Sequence, residues 1–266
     1  MDIPYSRWYA AIPHRRSRRR FNSVEIDSNG LAELQALCTE FRPFPEARAE
    51  LITQSPDQVL KGIVGYYGKV KGAPALIAFI GNTDDPYIQQ KVGYLGEGIL
   101  LEATAMGMAT CWVGGFFRPE VAASIVGTEI NEKVLAVTPV GYTADNFSME
   151  EKIMTGFGRT HRRKPMSELV TGLDQMESPH WLKTALEAAR VAPSAVNRQP
   201  WRFSVETDSI TVSVDNPTRQ LGISKRLDCG IAMLHIEVAA LESGVQGRWE
   251  FLESPNVARF TAVSGV

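Results

Sequence analysis

Two long stretches of the chain carry apolar residues at helical spacing. From Tyr94 onward, Leu95, Ile99, Leu100, Leu101, Ala103 and Met106 wrap most of a helix's circumference. This predicts a long central helix opening at Asp84-Asp85-Pro86 and closing at Gly107. Asp228 to Gly244 reads as a second long helix, with Leu234, Val238, Leu241 and Val245 at i, i+4, i+7 and i+11 forming an apolar stripe. With the two helices aligned, Ala103 falls on Ala240, Gly107 on Gly244 and Trp112 on Trp249. Two helices that each end in glycine five residues before a tryptophan predict an internal repeat.

Shorter patterns lie around these helices. Helices are expected over Tyr5 to Ile12, from Ser28 through Leu31, Leu34, Leu37 and Cys38, over Val59 to Tyr67, over Arg118 to Val126 and over Trp181 to Arg190. Strands are expected at Ala49 to Gln54, Ala73 to Ile80, Thr110 to Val113, Val134 to Tyr142 and Arg202 to Glu206. The mixture indicates an α+β fold. The 266 residues are 44% hydrophobic and 22% charged, values of a globular chain. A net charge of −2 gives no general drive toward nucleic acid. Cys38, Cys111 and Cys229 match neither a disulfide framework nor a metal site, and the four histidines share no ligand spacing. No run reaches membrane-spanning length and the start lacks a signal peptide's apolar core, so the expectation is a cytoplasmic protein without a metal.

Four polar motifs remain. Ala192 to Trp201 reads Ala-Pro-Ser-Ala-Val-Asn-Arg-Gln-Pro-Trp. Pro193 ends the preceding helix, and Ser194, Asn197, Arg198 and Gln199 crowd donors and acceptors into one loop. These side chains could serve a flat polar ligand or simply satisfy one another. Positions 15 to 20 hold five arginines around Ser17, which reads as a solvated basic face, a nucleic-acid patch or a phosphate clamp. Gly114-Gly115 follows a strand, where glycines permit close backbone approach or merely flexibility. Arg159 to Pro165 is a basic segment.

Together these motifs resemble the flavin-dependent nitroreductase superfamily. The loop matches its Ala-Pro-Ser-x-x-Asn-x-Gln-Pro-Trp signature, and the arginine run its Arg-Arg-Ser-x-Arg-x-Phe opening. Thr110 to Gly115 is similar to its Gly-Leu-Gly-Thr-Cys-Trp-Ile-Gly-Gly turn, without the Glu-Gly pair of several members. The resemblance implies an FMN cofactor whose phosphate and ribityl chain are held by Arg15, Arg16, Ser17 and Arg19, with Phe21 packed beneath and Arg18 and Arg20 solvated. It places Gly114 and Gly115 at the flavin's hydride-exchanging atom, and Arg163, just before Lys164-Pro165, at the phosphate. Pro193, Ser194, Asn197 and Gln199 would hold the ring, with Trp112 or Trp201 bordering it. No catalytic side chain is required, because the chemistry belongs to the cofactor.

The order of the motifs departs from the dimeric family, where the Pro-Ser-x-x-Asn loop lies near the N-terminus and each subunit completes its partner's site. Here residues 1–165 carry the clamp and the glycine turn, and 166–266 carry the loop. The chain therefore resembles a single-chain branch, the TM nitroreductases. The resemblance implies two pseudo-repeated lobes with antiparallel or mixed sheets around two central helices, and one FMN per chain. The expected activity is hydride transfer from NADH or NADPH to a nitroaromatic, quinone or similar small-molecule acceptor. The chain would be a pseudo-dimeric monomer or a further homodimer, without nucleic-acid or membrane partners. Flavin carriage or cleavage, and a cofactor-free arginine-rich binding protein, are the alternatives.

Overall fold

The computed structural model describes residues 1–60, 70–144, 146–147, 151–152, 162–172, 179–217 and 222–263. In chain order the elements are α1 (Tyr5–Ala11), α2 (Ser28–Glu40), β1 (Ala47–Ile52), α3 (Pro56–Leu60), β2 (Ala75–Asn82), α4 (Ile88–Ala105), β3 (Ala109–Thr110), α5 (Pro119–Val126) and β4 (Glu132–Gly141). Then follow α6 (Met166–Leu169), β5 (Val170–Thr171), α7 (His180–Arg190), β6 (Trp201–Val205), β7 (Ser209–Val214), α8 (Lys225–Glu242), β8 (Gly247–Phe251) and β9 (Asn256–Ala262). The expected helix over Val59 to Tyr67 lies mostly outside the described residues. The expected strand at Thr110 to Val113 shrinks to Ala109–Thr110, and Val113 makes only an isolated bridge to Val137. The helix expected from Asp84 starts at Ile88, since Asp85 Oδ1 instead accepts the Tyr87 N–H at 2.9 Å in a local turn.

Two sheets flank the helices. One runs β1-β2-β4-β3, antiparallel throughout; the other runs β5-β6-β7-β9-β8, antiparallel except that β5 joins β6 in parallel. Without β5 the two orders are the same, and in each the long helix connects the second strand to the third. The two long helices, α4 and α8, have 18 residues each. Gly107 and Gly244, just past their ends, take the left-handed conformation at φ +79 and +77.

The helices α4 and α8 pack on each other through glycine. A Cβ on Gly93 would overlap the Leu227 carbonyl, and one on Gly230 would overlap the Gln90 carbonyl. Gly93 and Gly230 are each the sixth residue of their helix, and Gln90 and Leu227 each the third. The contact is reciprocal, as at a two-fold interface. One apolar core runs through both halves, holding Leu95, Ile99 and Leu101 of α4 together with Leu234, Ile236 and Val238 of α8. A smaller cluster under α3 and α5 covers the other face of the first sheet through Leu76, Ala78 and Ile80. Among the described residues no helix is long and apolar enough to cross a membrane.

Candidate functional site

The arginine run leaves α1 and lies down as an extended ribbon. Ser17 bridges Thr110 in parallel, and the Arg18 N–H donates to the Thr110 carbonyl at 2.9 Å. The Phe21 N–H donates to the Lys71 carbonyl at 2.9 Å, and the Lys71 N–H to the Arg19 carbonyl at 3.0 Å. An extended chain turns successive side chains to opposite sides. Arg15, Ser17 and Arg19 accordingly line a cavity of about 770 Å³, and the exposed Arg16 lines it as well. Phe21 is buried, as expected.

The expectation that Arg18 and Arg20 are solvated is corrected. Arg18 is 8% exposed: its Nε lies 3.2 Å from Glu151 Oε1, its Nη2 donates to the Asn146 carbonyl, and its guanidinium stands over the Phe147 ring. Glu151 also accepts the Arg19 and Arg20 N–H groups at 2.9 and 3.3 Å, pinning the ribbon's backbone. Arg20 is half-buried. The side of the ribbon away from the cavity faces protein.

The Pro193 to Trp201 loop closes the cavity from the second half of the chain. Pro193, Ser194, Ala195, Val196 and Asn197 line it. The loop backbone is unusual, with Val196, Asn197 and Gln199 at φ +50, +53 and +47. These are left-handed positions, and for β-branched Val196 this is strained. The loop is held there by its own polar side chains and by Arg163. Arg163 Nη1 donates to Asn197 Oδ1 at 2.7 Å and its Nη2 to the Val191 carbonyl at 2.8 Å; Asn197 Nδ2 donates to the Arg162 carbonyl. The Gln199 N–H donates to Ser194 Oγ at 2.9 Å. Gln199, expected at the ring, lies behind the loop. It is 3% exposed and absent from the cavity wall, its amide instead joining the Lys164 N–H to the Arg162 and Asn197 carbonyls. Trp201 is fully buried and also off the wall, whereas Trp112 lies on it.

Gly114 and Gly115 line the cavity opposite Ile223, against which a Cβ on Gly114 would press at 3.1 Å. Phe116 follows at φ +61 and is 60% exposed, and Val196 across the loop is 45% exposed. Both belong to the cavity lining, giving it an apolar mouth. The deep end is cationic. Arg15 is 6% exposed, and its Nη1 has no hydrogen-bond partner among the described residues. Burial pushes the Arg163 guanidinium down to about 10, and the positive charges of Arg15, Arg16 and Arg190 push the same way. Cations that depress one another form a site short of negative charge.

Sequence reasoning missed a second set of residues. Asp228, at the start of α8, lines the cavity and braces the loop: Oδ1 accepts the Ala195 N–H at 3.0 Å and Oδ2 pairs with Arg198 Nε at 2.6 Å. Beneath Arg15, Glu97 of α4 and His235 of α8 meet at 2.9 Å, both almost completely buried. The available signal was the rarity of a carboxylate or imidazole inside an apolar helix, where it must find a partner. Arg159, Thr160 and His161 of the basic segment lie outside the described residues.

The fold is similar to a solved "putative nitroreductase" of Thermotoga maritima, with a TM-score of 0.63 and 19% identity, covering 96% of this chain and 93% of that one. A "Putative NAD(P)H nitroreductase acg" of Mycobacterium tuberculosis is 31% identical over 88 residues, which are 31% of this chain. That match spans 27% of the mycobacterial protein's length. A Bacteroides fragilis nitroreductase solved with bound FMN has a TM-score of 0.43 and 17% identity, covering 53% of this chain and 91% of that one. The model of the family described as "Putative TM nitroreductase" matches residues 7–240, and with a match that long the chain belongs to that nitroreductase family.

Proposed function

We propose that this chain is an FMN-dependent oxidoreductase passing electrons from NADH or NADPH to a nitroaromatic, quinone or similar small acceptor. The observation that carries the reading is the cationic deep end of the cavity, where Arg15 has a buried donor without an acceptor among the described residues and Arg163 is depressed by burial and, further, by its cationic neighbours. A phosphate ester supplies the missing charge and acceptors, and guanidinium groups match its geometry. The volume, about 770 Å³, is within the range of cofactor pockets.

FMN, when bound, supplies the electron-transfer chemistry. Arg15, Arg16 and Arg163, with the Ser17 hydroxyl and Arg19, would hold its phosphate and ribityl chain. Gly114 and Gly115 would let the main chain approach the ring, and Ser194 and Asn197 would border it, with Asn197 already oriented by Arg163. Phe116 and Val196 offer apolar contact at the open side, where a flat acceptor would follow the nicotinamide. Gln199 acts behind the loop as a brace.

In this reading residues 1–165 and 166–266 correspond to two subunits of a dimeric relative joined in one chain. The matching sheet orders and the reciprocal glycine contact support it. A cofactor-free arginine-rich binding protein fits less well, because a flat contact needs exposed arginines and both Arg15 and Arg18 are buried. The test is turnover of NADH or NADPH with a panel of nitroaromatics and quinones after FMN reconstitution. Binding without turnover would favour flavin carriage or cleavage. Failure to take up FMN would overturn the proposal.

A further inference from the structure

We propose that Glu97 and His235 share one buried proton, and that this proton keeps the arginine clamp beside them positively charged for an anionic ligand. His235 Nδ1 lies 2.8 Å from the Ala188 carbonyl oxygen. That oxygen can only accept, so Nδ1 carries a hydrogen. In a neutral ring Nε2 would then be bare, yet it faces Glu97 Oε1 at 2.9 Å. Two lone pairs cannot meet at that distance in a site where His235 is 1% and Glu97 0% exposed. One proton therefore lies between them, whichever atom holds it. The other carboxylate oxygen is occupied, accepting the Trp112 Nε1–H at 2.7 Å.

The consequence is a matter of charge. Arg15 Nε stands 3.6 Å from Glu97 Oε1. A lone carboxylate there would cancel Arg15; a carboxylate sharing a proton with imidazole is neutral as a pair. Among the described residues, the other groups whose charge acts on Arg15 and Arg163 are Arg16, the Cys111 thiol and Arg190, which pairs with Glu187 at 2.8 Å on α7; Arg19 and Asp228 also line the cavity, Asp228 paired with Arg198. With the shared proton, Arg15, Arg16 and Arg163 keep their excess positive charge; without it, one of the three is neutralised. His235 does not line the cavity. It is a positioning residue, acting through Glu97 and Arg15.

This rests on the reading of the cavity as an FMN site, and the test separates the two. FMN and riboflavin affinities are measured by flavin fluorescence for the wild type, His235→Gln and the double variant Glu97→Gln/His235→Gln. Loss of His235 alone leaves a bare carboxylate beside Arg15 and should weaken FMN binding roughly tenfold or more, as one unit of charge acting across a partly buried site does. Riboflavin, which lacks the phosphate, should change far less. The double variant removes carboxylate and proton together and should recover most of the FMN affinity. A role in packing alone predicts the double variant to be no better than the single, and that result would overturn the proposal. In the cofactor-free protein, nitrogen-15 spectra at neutral pH should show the His235 ring hydrogen-bonded at both nitrogens with a proton on the Glu97 side. An Nε2 free of any such proton would overturn the proposal whether or not FMN binds. If the wild type takes up no FMN, the functional reading fails and the clamp is judged by inorganic phosphate. Phosphate should then raise the melting temperature of the wild type more than that of His235→Gln; equal shifts would overturn it.

Discussion

Each long helix turns one carboxylate onto an indole from the strand region that follows it, and the two clusters part from there. Glu97 accepts the Trp112 N–H and meets His235 and Arg15 beside an open cavity. Glu237 accepts the Trp249 N–H at 2.7 Å and the Tyr94 hydroxyl at 2.6 Å, both neutral donors. Burial pushes its carboxyl up, and these two hydrogen bonds pull it down. Beside it rings fill the space: Phe44 packs edge-on to Tyr94 at 5.2 Å and against Phe251 at 5.5 Å, and Phe251 stacks on Tyr87. Lys91, a cation at this end, stands over Phe44 and Phe251 and is already paired with Glu46 and Asp85. Similar scaffolding thus carries a charged cavity at one end and an aromatic plug at the other. We read this as the signature of one ligand site per chain.

The frame shared by both ends is the first thing to break. Gly230→Ala sets a methyl group into the Gln90 backbone, which cannot swing away as a side chain can. Such overpacking should cost about 3 kcal/mol or more, read by urea unfolding. Arg163→Gln addresses the charged end alone. It removes a guanidinium that orients Asn197 and adds to the clamp, and should weaken FMN binding on the order of a hundredfold, the worth of one or two charge-assisted hydrogen bonds. Riboflavin affinity should fall less.

Asp228 gives a pH test. Burial pushes its carboxyl up to about 6, against the pull of Arg198 and the Ala195 N–H. In the unfolded chain an aspartate titrates near ~3.9. Between those values the folded protein binds the proton more tightly, so this contribution is complete at low pH and is lost as the pH rises through the folded value. Relative to Asp228→Asn, the wild type should lose about 2 kcal/mol of stability from pH 4 to pH 7. A parallel pair of pH curves would show that Arg198 compensates fully for the burial. The smallest effect is expected at the plugged end. Glu237→Gln keeps an acceptor for Trp249 and Tyr94, and should shift stability by about 1 kcal/mol or less without altering FMN affinity. A large loss of affinity there would break the contrast between the ends.

The frame of this contrast was legible along the chain, though the aromatic plug was not. Apolar residues around most of 94–106 and a helical stripe along 228–244 marked the two central helices, and the glycine and tryptophan that follow each marked their likeness. The resemblance, rather than any periodicity, set Arg15, Arg16, Ser17 and Arg19 apart from Arg18 and Arg20. It did not show what Arg18 would meet, because Glu151 comes from a segment far along the chain. The orientation of Gln199 was illegible for a related reason. A polar loop residue looks the same whether its amide serves a ligand or the Lys164 and Arg162 backbone, and only the left-handed turns at Val196, Asn197 and Gln199 decide which way it points. The Glu97–His235 pair joins two helices whose patterns were read for their apolar residues, so its polar members passed unremarked.

The central claim, one anion-clamped flavin site per chain, is tested most directly by counting flavin. The protein is saturated with FMN, freed of unbound cofactor and denatured, and the released flavin is identified and quantified against chain concentration. The account predicts one FMN per chain. Two per chain would contradict the aromatic plug beside Glu237, and none would contradict the arginine clamp.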